Sequence, residues 1–225
     1  MPPFSVLAWI GWLLLAALVA MAALRVRSLL RPRAFPPWMT PALEWGRDRG
    51  QIVLRAGFAR GERVLEVGPG AGWISQGILE RLGPDGRLVC LDIQLPMLQK
   101  ARRRIGDRAA WVCASGSRLP FREGAFDRAF LAHVLGEIPD RRGALASLRR
   151  VIRPGGELAL EEGIPDPDYV RAPALERMAR EAGFEPGDRQ GSWARYTWRF
   201  RRPSAPAAGA TSPRARARRA RSPWA

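Results

Sequence analysis

The sequence predicts a doubly wound α/β sandwich that follows an apolar segment at the start of the chain. From residue 62 onward, short runs rich in Val, Leu and Phe alternate with helix-like segments, as expected for strands joined by crossover helices. Several of these runs are apolar on both faces, which is typical of strands in a covered parallel sheet. A turn with three glycines, Gly68, Gly70 and Gly72, directly follows the first run and opens a predicted helix.

The predicted elements follow from these alternating patterns. The strands are RVLEV (63–67), RLVCLD (87–92), AAWVC (109–113), DRAFLA (127–132) and ELALEE (157–162), with a further alternating segment at 193–200. The helices are predicted at about 41–57, 73–82, 96–105, 140–152 and 172–182. Pro154, Gly155 and Gly156 are expected to end the fourth helix, because this combination terminates helices.

Residues 4–24 carry no charged side chain and predict a transmembrane anchor. As a helix they would span about 31 Å, close to the hydrocarbon thickness of a bilayer. A cleaved signal peptide is the alternative, but nothing basic precedes the segment. Arg25, Arg27, Arg31 and Arg33 follow it, and the positive-inside tendency then places the rest of the chain in the cytoplasm.

The predicted organisation has four parts: an anchor with its basic flank over 1–30, a juxtamembrane elbow and helix over 31–58, a folded domain over 59–202, and a disordered Arg-rich tail over 203–225. In the elbow, Phe35, Trp38 and Trp45 suit either the lipid headgroup level or packing on the domain.

The net charge of +16 is unevenly distributed along the 225 residues. Residues 199–225 contain eight Arg and no acidic side chain, whereas residues 51–198 contain 23 basic and 19 acidic side chains. A domain that grips nucleic acid usually carries the basic charge itself, so we do not expect a nucleic-acid partner. The tail either contacts anionic lipid or nucleic acid, or it is a solvated segment without a function.

The two cysteines and the single histidine give no metal-ligand spacing, so no metal site is expected from the sequence. Cys90 and Cys113 both fall in predicted strands, which indicates reduced thiols in an intracellular domain.

The glycine turn differs from two common phosphate-binding motifs. A dinucleotide site would have a third glycine at position 73, where this chain has Trp73. A P-loop would have Gly-Lys-Ser/Thr, and the turn lacks it. Bare glycines at the carboxyl end of a strand still let the backbone approach a ligand closely.

The pattern E-x-G-x-G-x-G at 66–72 resembles the first motif of the class I S-adenosylmethionine-dependent methyltransferases. Four further stretches resemble the same family in the same order. They are Asp92 at the end of the second strand, LPFREGAFD (119–127), LRRVIRPGGELAL (148–160) and AREAGFE (179–185). The similarity covers about residues 60–200 and is greatest to the branch with the ubiquinone, menaquinone and phospholipid methyltransferases.

The resemblance implies a Rossmann-like sandwich with a mostly parallel seven-stranded sheet, and S-adenosylmethionine as cofactor. In this family the acidic residue at the position of Asp92 holds the ribose hydroxyls. Ser115 stands where the family often has an Asp that accepts a hydrogen bond from the adenine amino group. The resemblance assigns cofactor contacts to Glu66, Gly68, Gly70, Gly72, Asp92, Ile93, Ser115 and Gly116. Two structural alternatives stay open: Glu66 as a buried acid bonded to backbone N–H groups, and Asp92 as a helix cap.

His133 is the candidate catalytic residue, because it follows the fourth strand at the ligand-facing edge of the sheet and an imidazole can act as a base near neutral pH. The alternative is a histidine that lines the pocket or bonds to backbone. Glu137 and Tyr169 are weaker candidates, whose presence loop polarity explains.

The expected activity is methyl transfer from S-adenosylmethionine, by in-line displacement, to a small lipidic or apolar acceptor at the membrane. A non-catalytic S-adenosylmethionine-binding partner protein is the first alternative, and a nucleic-acid methyltransferase is the second.

Overall fold

The computed structural model describes residues 6–30 and 48–204. The elbow aromatics and nearly all of the Arg-rich tail lie outside these residues. The helices are α1 (Val6–Leu30), α2 (Arg49–Ala56), α3 (Trp73–Leu82), α4 (Leu95–Ile105), α5 (Arg141–Val151) and α6 (Ala172–Glu181). The strands are β1 (Arg63–Val67), β2 (Arg87–Asp92), β3 (Ala109–Cys113), β4 (Phe126–Ala132), β5 (Ile152–Gly163), β6 (Glu185–Gly191) and β7 (Arg195–Arg201).

Within the described residues, the strands form one seven-stranded sheet in the order β3-β2-β1-β4-β5-β7-β6. The four pairings among β1 to β5 are parallel, whereas β7 runs antiparallel to both β5 and β6. The sheet is therefore mixed, whereas the sequence predicts a mostly parallel sheet. The reason lies in the short connection from β6 to β7, because adjacent strands joined by a tight turn pair antiparallel.

Helices cover both faces of the sheet, as a doubly wound sandwich requires. On one face, Leu145 and Leu148 of α5 and Leu175 of α6 pack in a core with Leu65 of β1. On the other face, buried residues of α2, α3 and α4 pack with Phe130 of β4. Successive residues of β1 alternate between these two cores, because strand side chains point to opposite faces in turn.

Helix α2 belongs to the folded domain, although the sequence assigns it to the juxtamembrane elbow. Asp48 caps its first turn by accepting a hydrogen bond from Gln51 N. Ile52, Val53 and Ala56 are buried in the second core. This packing fixes the first described helix of the domain against the sheet.

The boundary between α5 and β5 differs from the sequence prediction. The helix ends at Val151, and β5 begins at Ile152, so that the Pro-Gly-Gly segment lies inside the strand. Gly155 adopts φ +76° and its N–H donates to the carbonyl of Arg202, 2.9 Å away. Hydrogen bonds to the chain after β7 thus hold this segment extended where the sequence predicts only a helix stop.

Charged side chains tie the strands together near their amino ends. Arg128 on β4 is 6% exposed and its guanidinium pairs with Glu62 at 3.1 Å and with Glu157 at 2.5 Å. Arg63 binds Asp127 at 3.0 Å, and this guanidinium holds the pKa of Asp127 well below its usual range. The network lies at the sheet end away from the glycine turn.

Helix α1 exposes large apolar side chains, among them Trp9, Trp12 and Leu13 at 62%, 64% and 69%. Among residues 6–30 and 48–204, the structure contains no helix that is both long and apolar enough for a membrane crossing. The predicted transmembrane anchor is therefore not supported.

Candidate active site

The predicted site residues gather at the carboxyl ends of the parallel strands. In the strand order, β1 lies between β2 and β4. The chain therefore continues from β1 to β2 toward one edge of the sheet, and from β4 to β5 toward the other edge. This change of direction opens a crevice above the strand ends, where ligands of α/β sheets bind. The turns after β1, β2 and β4 all border this crevice.

The glycine turn after β1 has the backbone that the sequence predicts. Gly68, Gly70 and Gly72 all adopt positive φ, at 71°, 57° and 78°, which L side chains rarely adopt. A β-carbon on Gly72 would lie 3.1 Å from Cα of Ala101, whereas one on Gly70 would meet only Met97 Cε at 4.0 Å. Gly72 is therefore needed for packing on α4, and Gly70 leaves open space that a ligand can fill.

Glu66 lies beneath this turn and is 2% exposed. It pairs in register with Cys90 of β2, whose thiol donates to Oε2 at 3.6 Å. Burial raises the pKa of Glu66 to about 7, against the opposing effect of the Ser75 and Cys90 side chains. The Glu66 carboxyl group is therefore buried beside Cys90 of the neighbouring strand and shielded from the crevice.

Asp92 ends β2 at the edge of the crevice. Its Oδ1 accepts a hydrogen bond of 2.8 Å from Gln94 N, and burial raises its pKa. Gln94, not Asp92, is the N-cap residue of α4, so the helix-cap alternative does not describe this carboxylate. Ile93 beside it is 37% exposed, which gives the crevice an apolar surface next to a carboxylate.

Ser115 and Gly116 lie in the turn after β3, on the same side of the crevice as Asp92. Ser115 Oγ accepts a hydrogen bond from Ser117 N at 3.3 Å, so this hydroxyl already shapes its own turn. A β-carbon on Gly116 would lie 3.0 Å from Ile138 Cδ1 and 3.3 Å from Val67 Cγ1. Gly116 thus lets the turn after β3 pack closely against β1.

His133 follows β4 directly and is held between two carboxylates. Its Nε2 lies 2.7 Å from Glu161 Oε2 and its Nδ1 lies 3.2 Å from Asp166 Oδ2. The residue adopts φ +57°, a conformation uncommon outside glycine. Both ring nitrogens are engaged by carboxylates, an environment that neither sequence interpretation of this histidine anticipates.

Further carboxyl groups surround His133. Glu162 is 1% exposed, and burial raises its pKa to about 8. Burial, together with the charges of Asp166 and Asp168, raises the pKa of Glu137 to about 8. The side of the crevice next to β4 and β5 is therefore rich in carboxyl groups close to a single imidazole.

The sequence analysis did not identify Glu161, Glu162 and Asp166 as site residues. Glu161 pairs in register with Ala132, the residue before His133. The two glutamates at the end of the fifth predicted strand could have indicated these residues, because neighbouring parallel strands end at the same edge of a sheet.

The comparisons with known proteins agree with this geometry. Residues 65–160 match the family model described as a methyltransferase domain. The ubiquinone/menaquinone biosynthesis C-methyltransferase UbiE of Hahella chejuensis is 34% identical over 115 residues, which cover 49% of this chain and 46% of that protein. The chain thus spans about half the length of this relative.

Two solved structures show the same fold. A SAM dependent methyltransferase from Aquifex aeolicus has a TM-score of 0.68 at 19% identity, over 75% of this chain and 100% of that chain. The [4+2]-cyclase SpnF has a TM-score of 0.63 at 17% identity, over 75% of this chain and 94% of that chain. The site at the carboxyl ends of β1 and β2 lies within the matched residues, so that residues 65–160 are similar to a methyltransferase domain and lie on a Rossmann-like α/β fold.

Proposed function

We propose that the protein transfers a methyl group from S-adenosylmethionine to a small lipidic or apolar acceptor. The observation that carries this proposal is the open glycine turn after β1, next to the end of the adjacent parallel strand β2, where Asp92 lies. Gly70 leaves room for a ligand, and Asp92 is fixed by its hydrogen bond to Gln94 N. The donor supplies an already activated methyl group, so the protein mainly has to align the two reactants.

The residues around the crevice suit the parts of the cofactor. The backbone N–H groups of the turn lie at the start of α3, where a carboxylate binds favourably. A carboxylate such as Asp92 can accept hydrogen bonds from two ribose hydroxyls. Ile93 offers an apolar surface for the adenine ring, and Ser115 and Gly116 border the same space.

The lipidic acceptor rests on two observations. The relative from Hahella chejuensis is named for ubiquinone and menaquinone biosynthesis, and helix α1 exposes a run of large apolar side chains. We propose that α1 holds the protein at the cytoplasmic membrane surface, where lipidic acceptors are concentrated. A carbon, oxygen, nitrogen or sulfur atom of such an acceptor can take the methyl group.

His133 remains the candidate residue for the loss of a proton from the acceptor. It lies at the end of β4 beside the crevice, and its ring is fixed by Glu161 and Asp166. Since both ring nitrogens face carboxylates, we propose that the imidazole acts together with these carboxylates rather than as an isolated base.

The experiment that tests the proposal uses methyl-labelled S-adenosylmethionine and a native membrane extract. The full chain in detergent is added to one sample, and the Asp92→Ala variant is added to a matched sample. We expect a labelled lipid-soluble product, found by mass analysis, in the first sample and a loss of at least tenfold in the second.

Three outcomes contradict parts of the proposal. Label found only in soluble polar compounds overturns the lipidic acceptor. Label found only in RNA supports a nucleic-acid methyltransferase. S-adenosylmethionine binding without any labelled product supports a partner protein without turnover, and the similarity to a cyclase fold shows that the fold alone does not decide this point.

A further inference from the structure

Three side chains with metal-binding atoms meet at the carboxyl ends of β4 and β5. They are His133 after β4, Glu162 near the end of β5, and Asp166 in the segment that follows β5. One ligand atom from each residue lies within 4.8 Å of the other two. The residues are far apart in the sequence, so only the parallel pairing of β4 with β5 brings them together.

The surroundings of His133 aim one ring nitrogen at this cluster. Nε2 lies 2.7 Å from Glu161 Oε2, and Glu161 is 1% exposed. Nδ1 lies 3.2 Å from Asp166 Oδ2, and it carries a lone pair in the tautomer with the proton on Nε2. A carboxylate that accepts from one ring nitrogen while the other faces outward is the usual support of a metal-bound histidine.

Two acceptor atoms that face each other need a positive charge beside them. Nδ1 of His133 and Oδ2 of Asp166 are such a pair when Nε2 carries the proton. Two ligands bound at about 2.1 Å to one ion, at angles of about 90° to 109°, lie about 3.0–3.4 Å apart. The observed 3.2 Å falls within that range without any movement of the two residues.

Glu162 supplies a buried carboxylate to the cluster. Its Oε2 accepts a hydrogen bond from Val170 N at 3.2 Å, and one of its oxygen atoms lies within 4.8 Å of the ligand atoms of His133 and Asp166. The residue is 1% exposed, and a buried carboxylate is costly unless it is paired with a positive charge or coordinates a metal. A cation bound between the three side chains would supply that charge.

The surroundings add negative charge and little that is positive. Besides the three ligands, the carboxyl groups of Glu137, Glu161 and Asp168 lie close enough for their charges to affect one another. A cation with more than one positive charge would be stabilised by this group of carboxylates.

We propose that His133, Glu162 and Asp166 form a binding site for one divalent transition-metal cation such as Mn²⁺, with Glu161 as the positioning residue for the histidine. One imidazole and two carboxylates form a donor set that suits such ions. The site goes beyond the methyl transfer proposed above and does not depend on it, and a metal-bound His133 would hold the ion instead of accepting a proton from the acceptor. Three protein ligands leave coordination positions for water or for an oxygen atom of a bound acceptor.

The test is a titration of the full chain with Mn²⁺, without S-adenosylmethionine, in which electron paramagnetic resonance measures the free ion. We expect saturation at one ion per chain. Glu162→Gln and Asp166→Asn should each weaken binding at least tenfold, and Glu161→Gln should weaken it about 10–100-fold. Asp107→Asn is the matched control, because Asp107 is an exposed carboxylate that pairs with Arg102, and its variant should bind like the unchanged protein.

A thermal melt of each variant separates loss of binding from loss of folding. Mn²⁺ should raise the melting temperature of the unchanged chain and of Asp107→Asn, but not of Asp166→Asn. Asp166 is the more exposed of the two acidic ligands, so its variant decides the result if Glu162→Gln does not fold. Absence of saturable binding, or equal binding by Asp166→Asn and the unchanged chain, overturns the proposal and leaves a protonated His133 between two carboxylates as the explanation of the geometry.

Because no cofactor is present in this titration, its outcome is independent of the methyl-transfer experiment. A chain that binds Mn²⁺ but methylates nothing refutes only the proposed function. A chain that methylates a lipid without binding Mn²⁺ refutes only the metal site.

Discussion

The side chain of Val134 occupies the space that a β-carbon on Gly68 would need. The turn after β1 and the segment after β4 are therefore in direct contact at the floor of the crevice. Gly68→Ala should destabilise the fold, because alanine at φ +71° costs about 1–2 kcal/mol and the overlap with Val134 adds to it. Urea denaturation measures the change in the free energy of unfolding.

Gly61→Ala is the matched control for this change. Gly61 has φ +77°, and apart from its chain neighbours no atom of the described residues lies within 4 Å of the position of a β-carbon, so its variant has the backbone strain alone. Adding Val134→Ala to Gly68→Ala should recover part of the lost stability. Equal losses in Gly61→Ala and Gly68→Ala would show that the contact with Val134 carries no weight.

Gly70→Ala should affect the cofactor more than the fold. Within the part of the chain that the structure describes, a β-carbon at this position would meet only Met97 Cε, at 4.0 Å, so the unfolding free energy should fall no more than in Gly61→Ala. The same methyl group would obstruct a ligand on the turn. Calorimetry should show S-adenosylmethionine affinity reduced at least tenfold, and unchanged affinity would place the ligand elsewhere.

Asp92→Asn should weaken S-adenosylmethionine binding by about 10–100-fold, because hydrogen bonds to a charged acceptor contribute about 1.5–3 kcal/mol. Isothermal titration measures the effect. Asp85→Asn serves as the control, since Asp85 is an exposed acid in the turn before β2. If both variants bind the cofactor equally well, Asp92 does not hold the ribose.

Glu66 should make the stability depend on pH. Its pKa is raised from 4.5 to about 7 by burial, so its contribution is fully present below about pH 4.5 and is lost as the pH rises through 7. The shift corresponds to about 3 kcal/mol. Glu66→Gln should therefore show a flatter profile of unfolding free energy between pH 5 and 8, measured by urea denaturation. Parallel profiles for the two proteins would contradict the raised pKa.

Arg128→Met should destabilise the domain without changing the affinity for the cofactor. The buried guanidinium binds Glu62, Glu157 and the carbonyl of Ala56, and loss of one partner of a buried ion pair costs about 3–5 kcal/mol. Chemical denaturation measures the loss, and titration of the folded variant measures S-adenosylmethionine binding.

Arg102→Met is the comparison for Arg128→Met, because Arg102 pairs with Asp107 in an exposed ion pair. Its loss should cost less than about 1 kcal/mol. A similar loss in both variants would show that burial of Arg128 does not strengthen its pairing.

Local sequence patterns were sufficient to place the glycine turn and Asp92 at one edge of the sheet. Gly68, Gly70 and Gly72 stand next to a strand, and Asp92 ends the next one, so the alternation of strands and helices placed them at one edge. The positive φ values of the glycines follow from the residue type. The structure shows in addition that Gly72 packs on α4, whereas Gly70 borders open space.

The part of the site next to β4 and β5 depended on information that local patterns do not contain. His133 and Glu161 meet because β4 and β5 pair in a particular register, and Asp166 joins them through the path of the segment after β5. The mixed character of the sheet was missed for a related reason. The direction of β7 is set by the short turn from β6, whereas the alternating pattern of 193–200 indicates a strand of either direction.

The place of β7 between β5 and β6 has a consequence for the order of assembly on the ribosome. β6 is made before β7, its neighbour in the sheet, exists, and the edge of β5 stays open over the same interval. Ribosome-bound chains halted before Arg195 emerges should therefore remain sensitive to protease, even with the whole cofactor crevice already synthesised. Emergence of β7 should bring protection of β5 and β6 in a single step.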